Sequence, residues 1–160
     1  MNHDFWLFRQ GERAYTDYHD LFARRDAPIS IDDEVLRYFF DTIAWAPSFN
    51  PARNERGNGL NWWGPTIIDQ AGGDLFHTIF SSWAEIFTSG PEHLRLRGSF
   101  SWQWPYEEPE HLIAENELDT IGSHQYLLVD RDSLIQQLTT LAEFGAQAAT
   151  GKFFILHLGI

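Results

Sequence analysis

The clearest pattern along the chain follows Gly72-Gly73, where Leu75, Phe76, Ile79, Phe80, Trp83, Ile86 and Phe87 recur at the spacing of one helical face. His77, Ser81, Ser82 and Glu85 fall on the opposite side, and Gly90-Pro91 offers a glycine exit followed by a residue that cannot continue a helix. This predicts an amphipathic helix from an Asp74 N-cap to Gly90. A second helix is predicted from Ser30, with Asp33 at the third position of an approximate capping box and Val35, Leu36, Phe39, Phe40 and Ile43 buried before Pro47. A third runs from about Asp132 to Thr150, burying Leu134, Ile135, Leu138 and Leu141, with Gly151 at its end. Its late alanines favour close packing.

Period two replaces the helical period in Leu94, Leu96, Gly98, Phe100, Trp102 and Trp104, which alternate with Arg95, Arg97, Ser99, Ser101 and Gln103. The alternation predicts a strand whose leucines and tryptophans share the core face. Phe153 to Leu158 is almost continuously apolar, as in a strand buried on both faces, and Tyr126-Leu127-Leu128-Val129 is read the same way. Gly64-Pro65 interrupts Trp62-Trp63 and Thr66-Ile67-Ile68, which reads as a broken strand near a sheet edge. The long connection from Trp45 to Gly59 implies a binding loop, a mobile loop or a hidden hairpin, with Asn58-Gly59 suited to a tight turn. The order of elements gives an α+β fold, a single domain over residues 1–160, with a mixed or largely antiparallel sheet of about four to six strands and about three packed helices.

Composition narrows the function. Aromatic residues make up 16% of the chain, including 7 Trp and 13 Phe, enough for a folded core. Eleven Lys plus Arg against twenty-three Asp plus Glu give a net charge of -12, which repels phosphate backbones and anionic membranes and suits a basic partner. The absence of cysteine removes disulfides, thiolate catalysis and Cys-ligated metal, and fits a reducing compartment. Neither a secretory leader nor a membrane span is read in the sequence, so a cytoplasmic protein is expected.

The usual catalytic signatures are missing: no phosphate loop, dinucleotide fingerprint, nucleophile elbow or His-Glu-x-x-His helix. Lys152, the only lysine, sits where it would complement a helix C-terminus. Seven histidines raise a metal hypothesis, densest at Asp17-Tyr18-His19-Asp20, with His93, His111, His124 and His157 scattered and no pair at i, i+4 on one helical face. A hydrolytic acid needs a carboxyl in an apolar pocket, and the candidates are Glu143, beside Phe144, and Glu85, on the helix bearing Trp83 although on its polar side. Trp62, Trp63, Trp102 and Trp104 would form the platform of a sugar-binding module. Arg53 and Arg56 give the long loop a local cationic spot for a small anion.

The most distinctive feature is Tyr106 to Asp119, fourteen residues with six acids and no Lys or Arg, directly after Trp102-Gln103-Trp104-Pro105. Acids raise the rate of encounter with a basic protein, and aromatics supply desolvated anchors. The partner-binding candidates are therefore Glu107, Glu108, Glu110, Glu115, Glu117 and Asp119, with Trp104 and Tyr106 as anchors.

Taken together, a small, acidic, cysteine-free, Trp-rich chain with no catalytic signature resembles the immunity proteins of bacterial toxin systems, such as those of contact-dependent growth inhibition. The resemblance implies a tight complex with a cognate toxin domain, often a basic nuclease whose active site is covered by acidic side chains. It carries over no catalytic residue, and no cofactor, metal, nucleic-acid partner or membrane partner is expected. A small hydrolase or metal-dependent enzyme, or a carbohydrate-binding module, is the alternative.

Overall fold

The computed structural model describes residues 2–23, 26–102 and 122–159. Its strands are β1 (Asn2–Arg9), β2 (Ile29–Asp32), β3 (Pro47–Asn50), β4 (Glu55–Asn58), β5 (Gly64–Ile68), β6 (His93–Trp102), β7 (Gly122–Asp130) and β8 (Phe153–Gly159). The helices are α1 (Asp33–Arg37), α2 (Phe40–Ile43), α3 (Gln70–Thr88) and α4 (Arg131–Ala149), with a 3-10 turn at His19–Ala23. Six strands form one antiparallel sheet in the order β2-β1-β8-β5-β3-β4, and β6 and β7 form a separate two-stranded antiparallel sheet. The architecture is the α+β domain expected from the order of elements.

The apolar run Phe153 to Leu158 becomes the interior strand β8, buried on both faces as its composition demands. Ile155 turns toward α3 and α4, where it joins Phe5, Ile68, Phe76, Phe80, Leu134, Leu138 and Leu141. Phe154, Leu156 and Leu158 turn to the opposite face and pack with Trp6, Ile67, Tyr18 and Leu21. That second face is covered by the segment after β1, which Arg13 holds in place by donating to both carboxylate oxygens of Asp20 while its guanidinium lies 5.0 Å from the centre of the Phe8 ring.

The two long helices depend on glycine. Gly73 of α3 lies against the backbone of Ala149 and Gly145 of α4, and a Cβ built on Gly145 would come within 2.6 Å of His77 N. The helices run antiparallel at near backbone contact, and His77 Nδ1 bonds Ala142 O at 2.9 Å across the seam. This accounts for a correction to the predicted start of α3. Gly72 and Gly73 lie inside the helix as packing residues, and Asp69 caps it by accepting from Ala71 N. α4 is close to the expected span, with Asp130 as its cap and Gly151 at φ +72° beyond its end.

Three further expectations change. Ser30 lies in β2, and the predicted second helix is two short pieces, α1 capped by Asp32 and α2 beginning at Phe40. The segment containing Thr66-Ile67-Ile68 is interior, because β5 pairs with both β8 and β3. Pro65 is tolerated there because β3 is paired with β5 only at Phe49 and Ile67, so no ladder bond is asked of its missing N–H on that side. The loop after Trp45 does hide a hairpin, β3–β4, but Asn58-Gly59 follows it rather than turning it, and the left-handed residue at the turn is Asn54, φ 56°. Among the described residues, no helix is long and apolar enough to cross a membrane.

Candidate functional site

Strand β6 starts as its sequence pattern predicts. Leu94 and Leu96 point into the core beside the partly buried Leu127 and Val129, and Arg95 and Arg97 point outward. The register then slips. Arg97 faces Tyr126 but Phe100 faces His124, so β6 spends three residues where β7 spends two. This bulge at Gly98-Ser99 reverses the facing of everything beyond it, and Phe100 and Trp102 come to the outer face with Arg95, Arg97, His124, Tyr126 and Leu128. The core placement expected for Trp102 is thereby corrected, and its side chain is 42% exposed.

The bulge is anchored from outside the hairpin. Ser99 N donates to Glu34 Oε2 at 3.1 Å and the Ser99 hydroxyl donates to the same carboxylate at 2.6 Å. Glu34 in turn is positioned by the first turn of α1. A contact between residues 65 apart in sequence therefore fixes which face the aromatic side chains occupy.

The outer face has a definite chemistry. The Arg95 guanidinium lies 3.6 Å from the Tyr126 ring centre. His124 donates from Nδ1 to Gly98 O at 3.2 Å and accepts from Arg97 at Nε2. Phe100 stands edge-on to both Trp102 and His124, with ring centres 5.1 Å apart in each case. Tyr126 is 55% and Leu128 80% exposed, so the prediction that Tyr126 to Val129 is buried inside a sheet is corrected as well. β7 belongs to a two-stranded sheet with one face on the core and one open. Exposed aromatic and aliphatic groups side by side on one face mark an interaction surface more often than scattered single residues do.

Every residue predicted to bind a partner, Trp104, Tyr106, Glu107, Glu108, Glu110, Glu115, Glu117 and Asp119, lies outside the described residues, as does His111. The chain places that stretch between Trp102, the last residue of β6, and Gly122, the first of β7.

Two other groupings hold polar chemistry. On three adjacent strands, His3, His157 and Thr66 share the face that meets the helices. His3 Nδ1 lies 2.8 Å from His157 Nε2, His157 Nδ1 lies 3.4 Å from Thr66 Oγ1, and Asn61 N donates to that oxygen at 2.8 Å. Phe5 and Trp62 close over the imidazoles. Burial pushes His157 well below the ordinary imidazole range, with His3 acting in the same sense. Burial also lowers His3, against the opposing pull of Asp33, Asp4 and Asp32. The sequence pointed to His157 only as one of several scattered histidines, and a histidine inside an almost wholly apolar strand was the available signal.

At the opposite end of β5, Arg56 donates to both oxygens of Asp69 at 3.0 and 2.6 Å. Burial alone would raise the Asp69 pKa, but hydrogen bonds from Arg56 and Ala71 N outweigh it and hold the carboxyl below its ordinary value. This pair borders a shallow groove of about 290 Å³ with Gln10, Tyr15, Gln70, Ala71 and Gly151. The carboxylate already fills the place an anion would take at Arg56, and Arg53 meets Glu55 at 3.6 Å, so the anion site considered for this loop is not formed.

The remaining candidates are dispersed. Asp17 and Asp20 face Arg13, and Tyr18 is buried, so the densest His/Asp cluster acts as a clamp on the sheet. Glu85 and Glu143 are exposed on their helices. Among the described residues no three His, Asp or Glu side chains are grouped to hold a metal ion. Of the four tryptophans considered for sugar stacking, Trp62 lies over the histidine pair, Trp63 is exposed, Trp102 belongs to β6, and Trp104 lies outside the described residues. Comparisons with protein-family models, with curated proteins and with solved structures find no match to this chain.

Proposed function

We propose that the protein is a dedicated protein-binding inhibitor of the immunity type, acting in the cytoplasm to neutralise a cognate cationic toxin domain, a nuclease in the preferred form of the reading. Its contact element is the β6–β7 hairpin together with the acidic segment that joins the two strands. The observation supporting this is the outward turn of Phe100 and Trp102 beside Tyr126 and Leu128, at the hairpin end where the segment from Trp104 to Asp119 leaves β6. Desolvated aromatics would supply affinity there, while Glu107, Glu108, Glu110, Glu115, Glu117 and Asp119 would draw in and orient a basic surface. The net charge of -12 reinforces that attraction over longer distances.

The test is affinity capture from the native host with this protein as bait, followed by binding kinetics with the recovered partner. One basic polypeptide recovered near one-to-one is expected, with association that slows as salt rises. Reversing Glu107, Glu108 and Glu110 to Lys should slow association at the rim, or cost several kcal/mol where the pairs are desolvated. Unchanged affinity and association rate would remove the acidic segment from the interface.

A further inference from the structure

The charge on the outer face of the β6–β7 hairpin is opposite to that of the chain. Arg13, Arg53, Arg56 and Arg131 each meet a carboxylate. Arg95 and Arg97 meet none among the described residues, because Arg95 lies on the Tyr126 ring and Arg97 on the His124 imidazole. Both partners hold a guanidinium in place without neutralising it. The two cations therefore stand pre-oriented on an apolar surface, an arrangement that lowers the entropy lost when they bind a carboxylate.

Spacing limits the ligand. Arg95 and Arg97 are two residues apart on one strand, so their positions repeat at about 7 Å, the same interval that separates alternate side chains of any extended chain laid alongside. β6 pairs only with β7, so its other edge has no strand partner among the described residues. Leu128, opposite Arg95, and Phe100 and Trp102 beyond Arg97 continue the face with apolar surface. A nucleic-acid strand fits poorly, since two cations offset little of the repulsion from a chain of charge -12.

We propose that this face docks an extended, acidic protein segment, with carboxylates at alternate positions on Arg95 and Arg97 and apolar side chains on Tyr126, Leu128 and Trp102. The inference rests on the protein-binding reading only in taking the ligand to be a protein. It adds that the partner presents a carboxylate-bearing element as well as a cationic one, and such a two-signed pattern discriminates between partners better than a uniform field.

The experiment titrates the full isotope-labelled chain with a capped twelve-residue peptide that carries Glu at two successive alternate positions and Val at the alternate positions on either side of them, so that one face of the extended peptide presents both, monitored by amide chemical shifts. The Lys/Val counterpart and a twelve-nucleotide oligo(dT) are run in parallel. Saturable shifts confined to His93–Trp102 and Gly122–Asp130 are expected with the Glu peptide only, weakened at least tenfold in the R95Q/R97Q variant and by 0.5 M salt. Leu128→Ser, which leaves both cations in place, should weaken binding less. No saturable shift with the Glu peptide, equal binding of the Lys peptide, or preference for oligo(dT) would overturn the proposal. The probe contains no cationic partner, so its failure leaves the reading of residues 104–119 standing, and failure of that reading leaves this one.

Discussion

The buried histidine pair makes the fold sensitive to mild acid. His157 is fully buried, His3 is nearly so, and their facing nitrogens are 2.8 Å apart. That gap holds one hydrogen. A second would set two N–H groups head to head, so the folded protein can take at most one proton at this contact without breaking it. Both imidazoles are held below their ordinary pKa, chiefly by burial. In the unfolded chain each titrates near 6.5. The native state therefore binds fewer protons than the unfolded state below that pH. The pair's contribution is present above about 6.5 and is lost as pH falls toward the depressed native values.

The magnitude follows from linkage. At pH 5.0, an imidazole that stays neutral when folded costs about 2 kcal/mol of stability, and two cost about 4. Urea unfolding at pH 7.5, 6.0 and 5.0 should be measured for the natural chain and for a His3→Phe/His157→Leu variant, and only the difference between them read. The other five histidines and the carboxylates then largely cancel. Whatever its offset at pH 7.5, the variant should gain about 2–4 kcal/mol relative to the natural chain by pH 5.0. A difference constant to within about 0.5 kcal/mol, or imidazole resonances of His3 and His157 that titrate near 6.5 in the folded protein, would refute the reasoning.

Two further substitutions test the scaffold. Gly145→Ala should destabilise by about 2 kcal/mol net and lower Tm by roughly 4–8 °C, because a Cβ there comes within 2.6 Å of His77 N and this outweighs the roughly 1 kcal/mol that helix propensity offers; a rise in stability seen by calorimetry would contradict the close α3–α4 seam. Asp69→Ala should cost about 1–2 kcal/mol, mostly through loss of the α3 cap because Arg56 is largely solvent-exposed, and Asp69→Asn should cost less; since the Asp69 pKa is depressed in the fold, its contribution is present above the unfolded value near 3.9 and disappears as pH falls through the native one, so a natural chain and D69A variant that stayed equally far apart down to pH 2 would contradict this account.

Elements governed by local periodicity were readable from the chain. The stripe of α3, the cap-to-glycine span of α4 and the two-sided burial of β8 each follow from residues within one element, and the structure reproduces them to within a few positions, except that Ile86, read as part of the α3 stripe, is exposed. Tertiary contacts decided where reading failed. Gly72-Gly73 has the look of a helix boundary, yet Gly72 lies against the Pro47 carbonyl of β3 and Gly73 against the α4 backbone so closely that only glycine fits inside α3 there. Ser30 and its neighbours carry a plausible helical start, but pairing with Asp4 in β1 draws Ile29–Asp32 into the sheet and leaves Asp32 to cap a helix of only five residues. The His3–His157 contact joins positions 154 apart, and no spacing rule connects them.

The same distinction governs the candidate site. Alternation along β6 assigns Leu94 through Trp104 to one face, and that holds only while the ladder advances one residue at a time. Glu34 captures both the backbone N–H and the hydroxyl of Ser99, and the extra residue absorbed there exchanges the faces of all that follow. The sequence supplied the aromatic residues, and a side chain from α1 determined that they face outward. Because the bulge precedes Phe100, Leu94 and Leu96 keep the hairpin fastened to the core while its farther half turns Phe100 and Trp102 to the outer face. One strand thus anchors at its beginning and displays at its end. The acidic segment continues from the displaying end, which is why exposed aromatic side chains and carboxylates come to lie next to one another along the chain.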